Sequence, residues 1–172
     1  HYCRRKLFFD GCLFYNKSLY FCMDLQNISI SSILNEKSSS VYYVDASATV
    51  AEAVGLMNSE KIGSVMVIKN GQYVGIFTER DVLNRVISAK LNPERTRVEK
   101  VMTSDFISVQ EKSTLRETMQ IMTNKRVRHL PVFKEEKLVG MISIGDVTRK
   151  LLEINQNEAA SLRQYLFTEY SG

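Results

Sequence analysis

Two apolar runs within residues 64–77 (SVMVIKNGQYVGIF) are separated by the pair Asn70-Gly71. β-Branched and aromatic residues favour strands, and Asn-Gly between two such runs is typical of a type I′ hairpin turn. A shorter apolar run, VYYV at residues 41–44, predicts an earlier strand. The pattern therefore predicts one strand followed later by a hairpin of two.

Helical spacing lies between that first strand and the hairpin, and it returns after the hairpin. Thr49 and Glu52 have the spacing of a capping box, and apolar residues then recur at three- and four-residue intervals up to Met57. Residues 78–88 (TERDVLNRVIS) begin with a hydroxyl and predict a second helix. The predicted order is strand, helix, strand, strand, helix.

The same pattern occurs a second time further along the chain. When the chain is shifted by 65 residues, residues 41–88 align with residues 106–153 without a gap, and ten of the 48 positions are identical. Chance would give roughly three identities for average composition. Glu135-Glu136 replaces Asn-Gly in the second copy, so its hairpin turn must differ.

Each copy is predicted to open with a short amphipathic lead-in, because ISSIL (30–34) is similar to VEKVM (98–102) at an offset three residues larger. Two copies are too few for a solenoid and indicate a pseudo-symmetric pair. We predict an α+β fold in which the two repeats pack about a pseudo-twofold axis, each sheet against the helices of the other repeat. The predicted division is an extension at 1–22, a first repeat at 24–90, a linker and lead-in at 91–105, a second repeat at 106–155 and a helical tail at 156–172.

Residues 1–22 differ in composition from the rest of the chain. They contain all three cysteines, and four basic residues against one Asp give them a charge of +3 out of a total of +4. The runs KLFF and CLFY flank Asp10-Gly11 and predict a β-hairpin-like extension. The break in composition leads us to expect a natural start at Met23, with the preceding residues a non-native or added segment.

Composition excludes several classes of function. The remaining +1 charge does not provide the basic face of a nucleic-acid-binding domain. No apolar run approaches the roughly 18–20 residues that span a membrane, and a cysteine-free body is typical of a reducing, cytoplasmic setting. Catalytic and metal-binding motifs are absent from the sequence, so no catalytic residue and no metal site are predicted.

A hydroxyl and an Asp return at the same place in both repeats, as Thr78-x-x-Asp81 and Ser143-x-x-Asp146. One interpretation is a capping box at the start of each final helix, since [ST]-x-x-[DE] is a weak motif. The other is a functional pair, because both residues and the preceding Val-Gly are kept while the two intervening residues change completely. Glycine there would allow a backbone or a ligand to approach closely.

A unit of this order that ends in VGIFTERDV resembles the CBS domain, named after cystathionine β-synthase, and two in tandem resemble a Bateman module. The resemblance covers about residues 28–155. It implies two clefts related by the pseudo-twofold axis that bind adenosine-containing ligands: AMP, ADP, ATP, NAD or S-adenosylmethionine. It also implies that the Asp binds the ribose hydroxyls, that the Ser or Thr lies by the phosphate, and that adenine lies among apolar side chains.

Carried onto this sequence, the resemblance places each cleft between the end motif of one repeat and the strands of the other. The first would be lined by Asp146, Ser143, Ile62, Gly63, Ser64, Tyr42, Tyr43 and Val44. The second would be lined by Asp81, Thr78, Arg80, Val127, Arg128, His129, Phe106 and Ile107.

The two clefts are predicted to differ in charge, because Arg128 and His129 replace Gly63 and Ser64 under the 65-residue shift. Such cations either bind phosphates or form a solvated face. We expect one cleft to bind more tightly than the other, and the sequence modestly favours the cleft of Asp146.

These observations predict a regulatory module, without catalytic activity, that binds an adenine nucleotide and acts on an unknown partner protein. The tail, residues 157–172, has apolar positions at helical spacing and is similar to the tails of small stand-alone bacterial CBS proteins, which implies a homodimer. The alternative is a structural or dimerisation scaffold whose clefts are vestigial.

Overall fold

The computed structural model describes residues 28–37 and 41–169, with side chains up to residue 156. The hairpin-like extension predicted for residues 1–22 lies outside the described residues. Within the described ranges, no helix is long and apolar enough to cross a membrane.

The first half of the described chain follows the predicted order. Its elements are α1 (Ile30–Glu36), β1 (Tyr43–Asp45), α2 (Val50–Glu60), β2 (Ser64–Lys69), β3 (Gln72–Thr78) and α3 (Glu79–Asp81), which continues as a π-helical segment, Val82–Ile87. The capping box of α2 is formed, since the Thr49 side chain accepts the Glu52 N–H and the Glu52 carboxylate accepts the Thr49 N–H. Asn70 and Gly71 have φ angles of 51° and 77°, as a type I′ turn requires.

The second half repeats this order. Its elements are a 3₁₀ turn (Val98–Lys100), β4 (Val109–Gln110), α4 (Leu115–Lys125), β5 (His129–Lys134), β6 (Lys137–Ser143) and α5 (Ile144–Glu169). Thr114 and Glu117 form the second capping box. In the turn Glu135-Glu136 only Glu135 has a positive φ, of 54°, so this turn differs from the first, as predicted.

Each half forms a three-stranded sheet of the same topology and register. The strand orders are β1-β2-β3 and β4-β5-β6, with the first pair parallel and the second antiparallel. Val67 pairs with Gly75 and Val132 pairs with Gly140, and the register shifts directly after the valine in both hairpins. The repeat predicted from the sequence is therefore a repeat of backbone structure, and the predicted α+β fold is confirmed.

The core consists of one apolar cluster in each repeat and a third cluster between the sheets. Met57 of α2 packs with Val65 and Val67 of β2, so the first sheet is covered by a helix of its own repeat. Met66 and Leu138 belong to the third cluster, which joins the two sheets. The expectation that each sheet packs against the other repeat's helices is wrong for α2 and α4, because a helix joined to its strand by a short connection returns onto the same sheet. It holds for α1, whose apolar residues lie in the core of the second repeat.

The segments that cross between repeats are the two lead-ins. Helix α1, at the start of the first repeat, contributes its apolar residues to the core of the second, and the Ile30 N–H donates to Ser113 O at 2.9 Å. The 3₁₀ turn, which precedes the second repeat, packs into the core of the first, and the Val98 N–H donates to Ala48 O at 2.8 Å. Each repeat is therefore completed by the lead-in of the other.

Candidate functional site

The two end motifs adopt the same hydrogen-bonded geometry. Asp81 Oδ2 accepts the Thr78 N–H at 2.9 Å and the Thr78 hydroxyl at 2.7 Å. Asp146 Oδ2 accepts the Ser143 N–H at 2.8 Å and the Ser143 hydroxyl at 2.7 Å. Both Asp residues are buried, with 7% and 6% exposure. The capping-box interpretation is therefore correct, but a carboxylate has about four acceptor positions, so capping leaves each Asp able to bind something else.

All eight residues predicted for the second cleft line one cavity of about 430 Å³. They are Thr78, Arg80, Asp81, Phe106, Ile107, Val127, Arg128 and His129. The first repeat contributes the end of β3 and the start of α3, and the second contributes the segments that precede β4 and β5. We call this the Asp81 cleft; its volume is within the range of about 300–1,000 Å³ that is typical of small-molecule sites.

The second oxygen of Asp81 contacts the crossing lead-in. The Thr103 hydroxyl donates to Asp81 Oδ1 at 3.2 Å, and Arg85 Nε lies 3.5 Å from the same oxygen. Arg85 also donates to the carbonyls of Val101, at 3.1 Å, and Met102. Neither Thr103 nor Arg85 was predicted; the sequence signal that could have indicated Thr103 is the similarity between the two lead-ins.

Besides Arg85, which pairs with Asp81, four exposed cations lie along the edge of the Asp81 cleft. This basic rim consists of Arg80, Lys125, Arg126 and Arg128. Arg80 Nη1 donates to Arg126 O at 2.8 Å, so its side chain spans from α3 to the end of α4. The cleft therefore has a buried carboxylate and, among its exposed side chains, an excess of positive charge over the carboxylates of Glu79 and Asp105.

The first predicted cleft is divided into two cavities, and we call the pair the Asp146 cleft. A cavity of about 370 Å³ is lined by Tyr42, Ile62, Gly63, Ser64 and Ser143, five of the eight predicted residues. Asp146 lines a separate cavity of about 110 Å³, and Lys37 lines both. Tyr43 and Val44 line neither cavity: Tyr43 is 56% exposed, and Val44 packs against the core of the first repeat.

Lys37 forms an ion pair with the carboxylate of the Asp146 cleft. Its Nζ donates to Asp146 Oδ2 at 2.8 Å. Burial by itself raises the pKa of Asp146, but the hydrogen bonds from Lys37 and Ser143 outweigh burial and hold the pKa below its usual value. Lys37 was not predicted; the offset that aligns the two lead-ins places it opposite Asp105, which lines the Asp81 cleft.

His129 and Gly63 line both main cavities and form the wall between them. A Cβ on Gly63 would lie 2.9 Å from His129 Cε1, so glycine makes room for the imidazole. Burial lowers the pKa of His129, although the nearby Glu79 carboxylate opposes that shift. The imidazole is therefore neutral near neutral pH and contributes hydrogen bonds rather than charge.

The repeated Val-Gly pair makes room for the crossing lead-ins. A Cβ on Gly75 would lie 2.6 Å from Met102 Sδ and 2.9 Å from Thr103 O. A Cβ on Gly140 would lie 2.8 Å from both Cδ atoms of Leu34. Both glycines thus permit close packing within the protein, which is one of the two uses that the sequence suggested.

The polar groups of the Asp81 cleft are suited to binding a molecule that carries both hydroxyl groups and negative charge. Its buried carboxylate is a strong acceptor for hydroxyl donors, and its basic rim favours phosphates. Across the described part of the chain, no cluster of His, Cys, Asp and Glu side chains is arranged to hold a metal ion.

Comparison with known proteins gives consistent results. The family model of the CBS domain matches residues 30–88 and 98–153. The mitochondrial CBS domain-containing protein CBSX3 of Arabidopsis thaliana is 32% identical over 150 residues, which cover 82% of this chain and 73% of that protein. The structure of a CBS-domain containing protein from Agrobacterium tumefaciens is 36% identical, with a TM-score of 0.68, and the match covers 71% of this chain and 98% of that one. The structure of a hexameric CBS-CP12 protein from bloom-forming cyanobacteria is 25% identical, with a TM-score of 0.65 and 84% coverage of each chain.

Proposed function

The chain belongs to the CBS-domain family, and from that premise we propose that it is a regulatory module that binds an adenine nucleotide between its two repeats. Paired CBS domains are regulatory rather than catalytic in general, and they commonly bind adenosine ligands. The observation that carries the proposal for this chain is the Asp81 cleft. Residues that lie far apart in the sequence line one cavity with a buried carboxylate and a basic rim.

In this proposal the ribose binds at Asp81 Oδ1. A ribose diol would replace the Thr103 hydroxyl, whose hydrogen bond to Asp81 is 3.2 Å long. Hydrogen bonds to a charged acceptor contribute roughly 1.5–3 kcal/mol each, which is enough to position the sugar. The adenine would contact the apolar residues of the cavity, which are Ile76, Phe106, Ile107 and Val127.

The phosphates would then lie between the start of α3 and the basic rim. Arg128 and Arg126 are exposed and line the cavity, so they can pair with phosphate oxygens without first losing a buried partner. Neutral His129 can donate one further hydrogen bond from the wall between the clefts.

We propose that the Asp81 cleft binds first, which reverses the order that the sequence favoured. It is a single cavity of about 430 Å³ with the basic rim at its edge, whereas the Asp146 cleft is divided into cavities of about 370 Å³ and 110 Å³. In the Asp146 cleft the carboxylate is paired with Lys37 at 2.8 Å, a closer contact than the 3.5 Å between Arg85 Nε and Asp81.

The first experiment is a thermal-shift assay with AMP, ADP, ATP, NAD and S-adenosylmethionine. Ligand at 100 times its Kd should add about 2.7 kcal/mol to the unfolding free energy, or about 5–11 °C in Tm for a chain of this size. Asp81→Asn should remove most of that shift, because it removes the charge of the acceptor while keeping its size. Asp146→Asn should leave most of it.

Asp45→Asn is the matched control, because Asp45 is an exposed carboxylate that also accepts a backbone N–H and a hydroxyl, both from Ser47. It lines neither cleft, and its variant should keep the whole shift. If none of the five compounds raises the Tm of the unaltered protein, the nucleotide proposal is wrong and the scaffold alternative is favoured.

We also infer that the protein self-associates. The segments that follow the two end motifs leave Leu83, Ile87 and Leu152 exposed by 62%, 57% and 56%. Exposed apolar residues grouped on helices are typical of protein interfaces. Light scattering should therefore give a mass that is a multiple of 19.7 kDa, and the double variant Leu83→Asp/Ile87→Asp should lower it. Tyr43→Asp, at an equally exposed strand residue, should not; a mass of 19.7 kDa for the unaltered chain would contradict the inference.

A further inference from the structure

The structure suggests a physical reason for the unequal clefts. We propose that Lys37 keeps the Asp146 cleft closed to a ribose and thereby makes it the cleft that fills second. This inference rests on the proposed function, because it concerns the order in which one ligand occupies two sites.

The first support is the position of the ammonium group. Nζ of Lys37 lies 2.8 Å from Asp146 Oδ2, and Asp146 is 6% exposed. The cation thus neutralises the carboxylate at Oδ2, the oxygen that also caps α5. The Lys37 side chain also lines both cavities of this cleft, so it lies between Asp146 and the larger space beside Ser143.

The second support is the way in which Lys37 is held. It follows directly after α1, and its own N–H donates to Ile33 O at 3.2 Å. The preceding residue, Glu36, pairs with Lys150 of α5 at 2.7 Å. Two ion pairs therefore fix the end of α1 on α5, and the ammonium group is presented by a packed helix that belongs to the core of the second repeat.

The third support is the contrast with the Asp81 cleft. At the aligned lead-in position that cleft has Asp105, which cannot neutralise Asp81. The oxygen of Asp81 that does not cap the helix, Oδ1, is contacted by the neutral Thr103 hydroxyl at 3.2 Å and by the Arg85 guanidinium at 3.5 Å. Both contacts are longer than the Lys37 contact, so a ligand hydroxyl can replace them more easily.

The consequence is that a ligand in the larger cavity must displace the Lys37 side chain before it can reach Asp146. A ligand that enters the Asp146 cleft also has to detach the end of α1 from α5 at one of its two ion pairs. Occupation of the second cleft would therefore loosen the attachment of α1 to α5.

The test isolates the Asp146 cleft by using Asp81→Asn as the background and AMP, ATP and NAD as probes in isothermal titration calorimetry. Adding Lys37→Met removes the ammonium and keeps most of the stem. We expect the double variant to bind at least one probe at least ten-fold more tightly than Asp81→Asn alone, a difference of about 1.4 kcal/mol. Lys37→Arg on the same background should restore the weak binding, because the cation is restored.

The matched control is Lys134→Met on the same background. Lys134 also forms an ion pair, with Glu111 at 3.0 Å, but it lines neither cleft. Its variant should bind like Asp81→Asn alone.

Two outcomes would overturn the inference in different ways. If the unaltered protein binds a probe but Lys37→Met does not strengthen binding in the Asp81→Asn background, Lys37 does not close the cleft, while the proposed function stands. If no probe binds to any variant or to the unaltered protein, the proposed function and this inference are both wrong. The Tm of each variant in the absence of ligand shows that all of them are folded when they are compared.

Discussion

The two clefts share a backbone and a cap but differ in the side chains that face the ligand space. In both repeats, the first N–H of the helix that begins within the end motif donates to the carbonyl just before the hairpin. The Glu79 N–H donates to Gly63 O at 3.2 Å, and the Ile144 N–H donates to Arg128 O at 2.9 Å. In both, a hydroxyl and a carboxylate cap that helix. These interactions need particular donors, acceptors and spacings, and they recur in both repeats.

The positions that differ between the clefts are those whose side chains take no part in these capping and backbone hydrogen bonds. Arg128 and His129 occupy the places of Gly63 and Ser64, which gives one cleft its charge and the wall between the clefts its bulk. The lead-in supplies Lys37 to one cleft. The comparison shows that pseudo-symmetry fixes where the two carboxylates lie, while a few side chains decide how each carboxylate is used.

The largest effect that breaks this symmetry is expected at the two glycines that face the lead-ins. Gly75→Ala should destabilise the protein by about 2–3 kcal/mol, because the new Cβ meets the backbone oxygen of Thr103, which cannot rotate away. Gly140→Ala should cost about 1 kcal/mol, because its Cβ meets only the flexible side chain of Leu34. Urea unfolding of both variants measures the difference.

Gly55→Ala is the control for this pair. Nothing lies within 4 Å of a Cβ at Gly55, in the middle of α2, so alanine should stabilise the helix by about 0.5–1 kcal/mol. Equal losses at Gly75 and Gly140 would mean that the Thr103 backbone yields as readily as a leucine side chain, and the explanation would then be wrong.

Much of the fold could be predicted from the sequence because its signals are local. The capping boxes depend on residues three positions apart, and the hairpin turns on adjacent pairs such as Asn70-Gly71. Aligning the chain with itself at a shift of 65 residues then extends the elements predicted for the first repeat to the second. The family resemblance places the end motif of one repeat opposite the strands of the other. For these reasons the eight residues named for the Asp81 cleft lie around one cavity.

The crossing lead-ins could not be predicted in the same way, because they depend on contacts between distant parts of the chain. Lys37 and Asp146 are 109 positions apart, and no local pattern connects a lysine after a short helix with a carboxylate in the other repeat. Arg85 pairs locally with Asp81, four positions earlier, but its hydrogen bonds to the lead-in go to backbone carbonyls, which leave no trace in the sequence. The similarity between the two lead-ins was the one available signal, and it does not indicate which repeat each lead-in packs against.

The smallest expected effect is on the pH dependence of the unfolding free energy, through His129 in the wall between the clefts. Burial lowers the pKa of His129 below its ordinary value of 6.5, against the influence of Glu79 and Asp146. The unfolded chain therefore binds a proton on this side chain at a higher pH than the folded chain does. The stability associated with neutral His129 is present above about pH 6.5 and is lost as the pH falls toward the folded pKa, at no more than about 1.4 kcal/mol per pH unit.

His129→Gln should flatten the unfolding free energy between pH 7.5 and pH 5.5, because glutamine keeps a polar group in the wall without titrating. The only other histidine is His1, so a His1→Gln variant is the matched control and should keep the slope of the unaltered protein. A slope that survives in His129→Gln and disappears in His1→Gln would mean that the folded protein protonates His129 as easily as the unfolded chain does. In that case the imidazole would be charged at mildly acidic pH, and the wall would add to the basic rim instead of separating it from the Asp146 cleft.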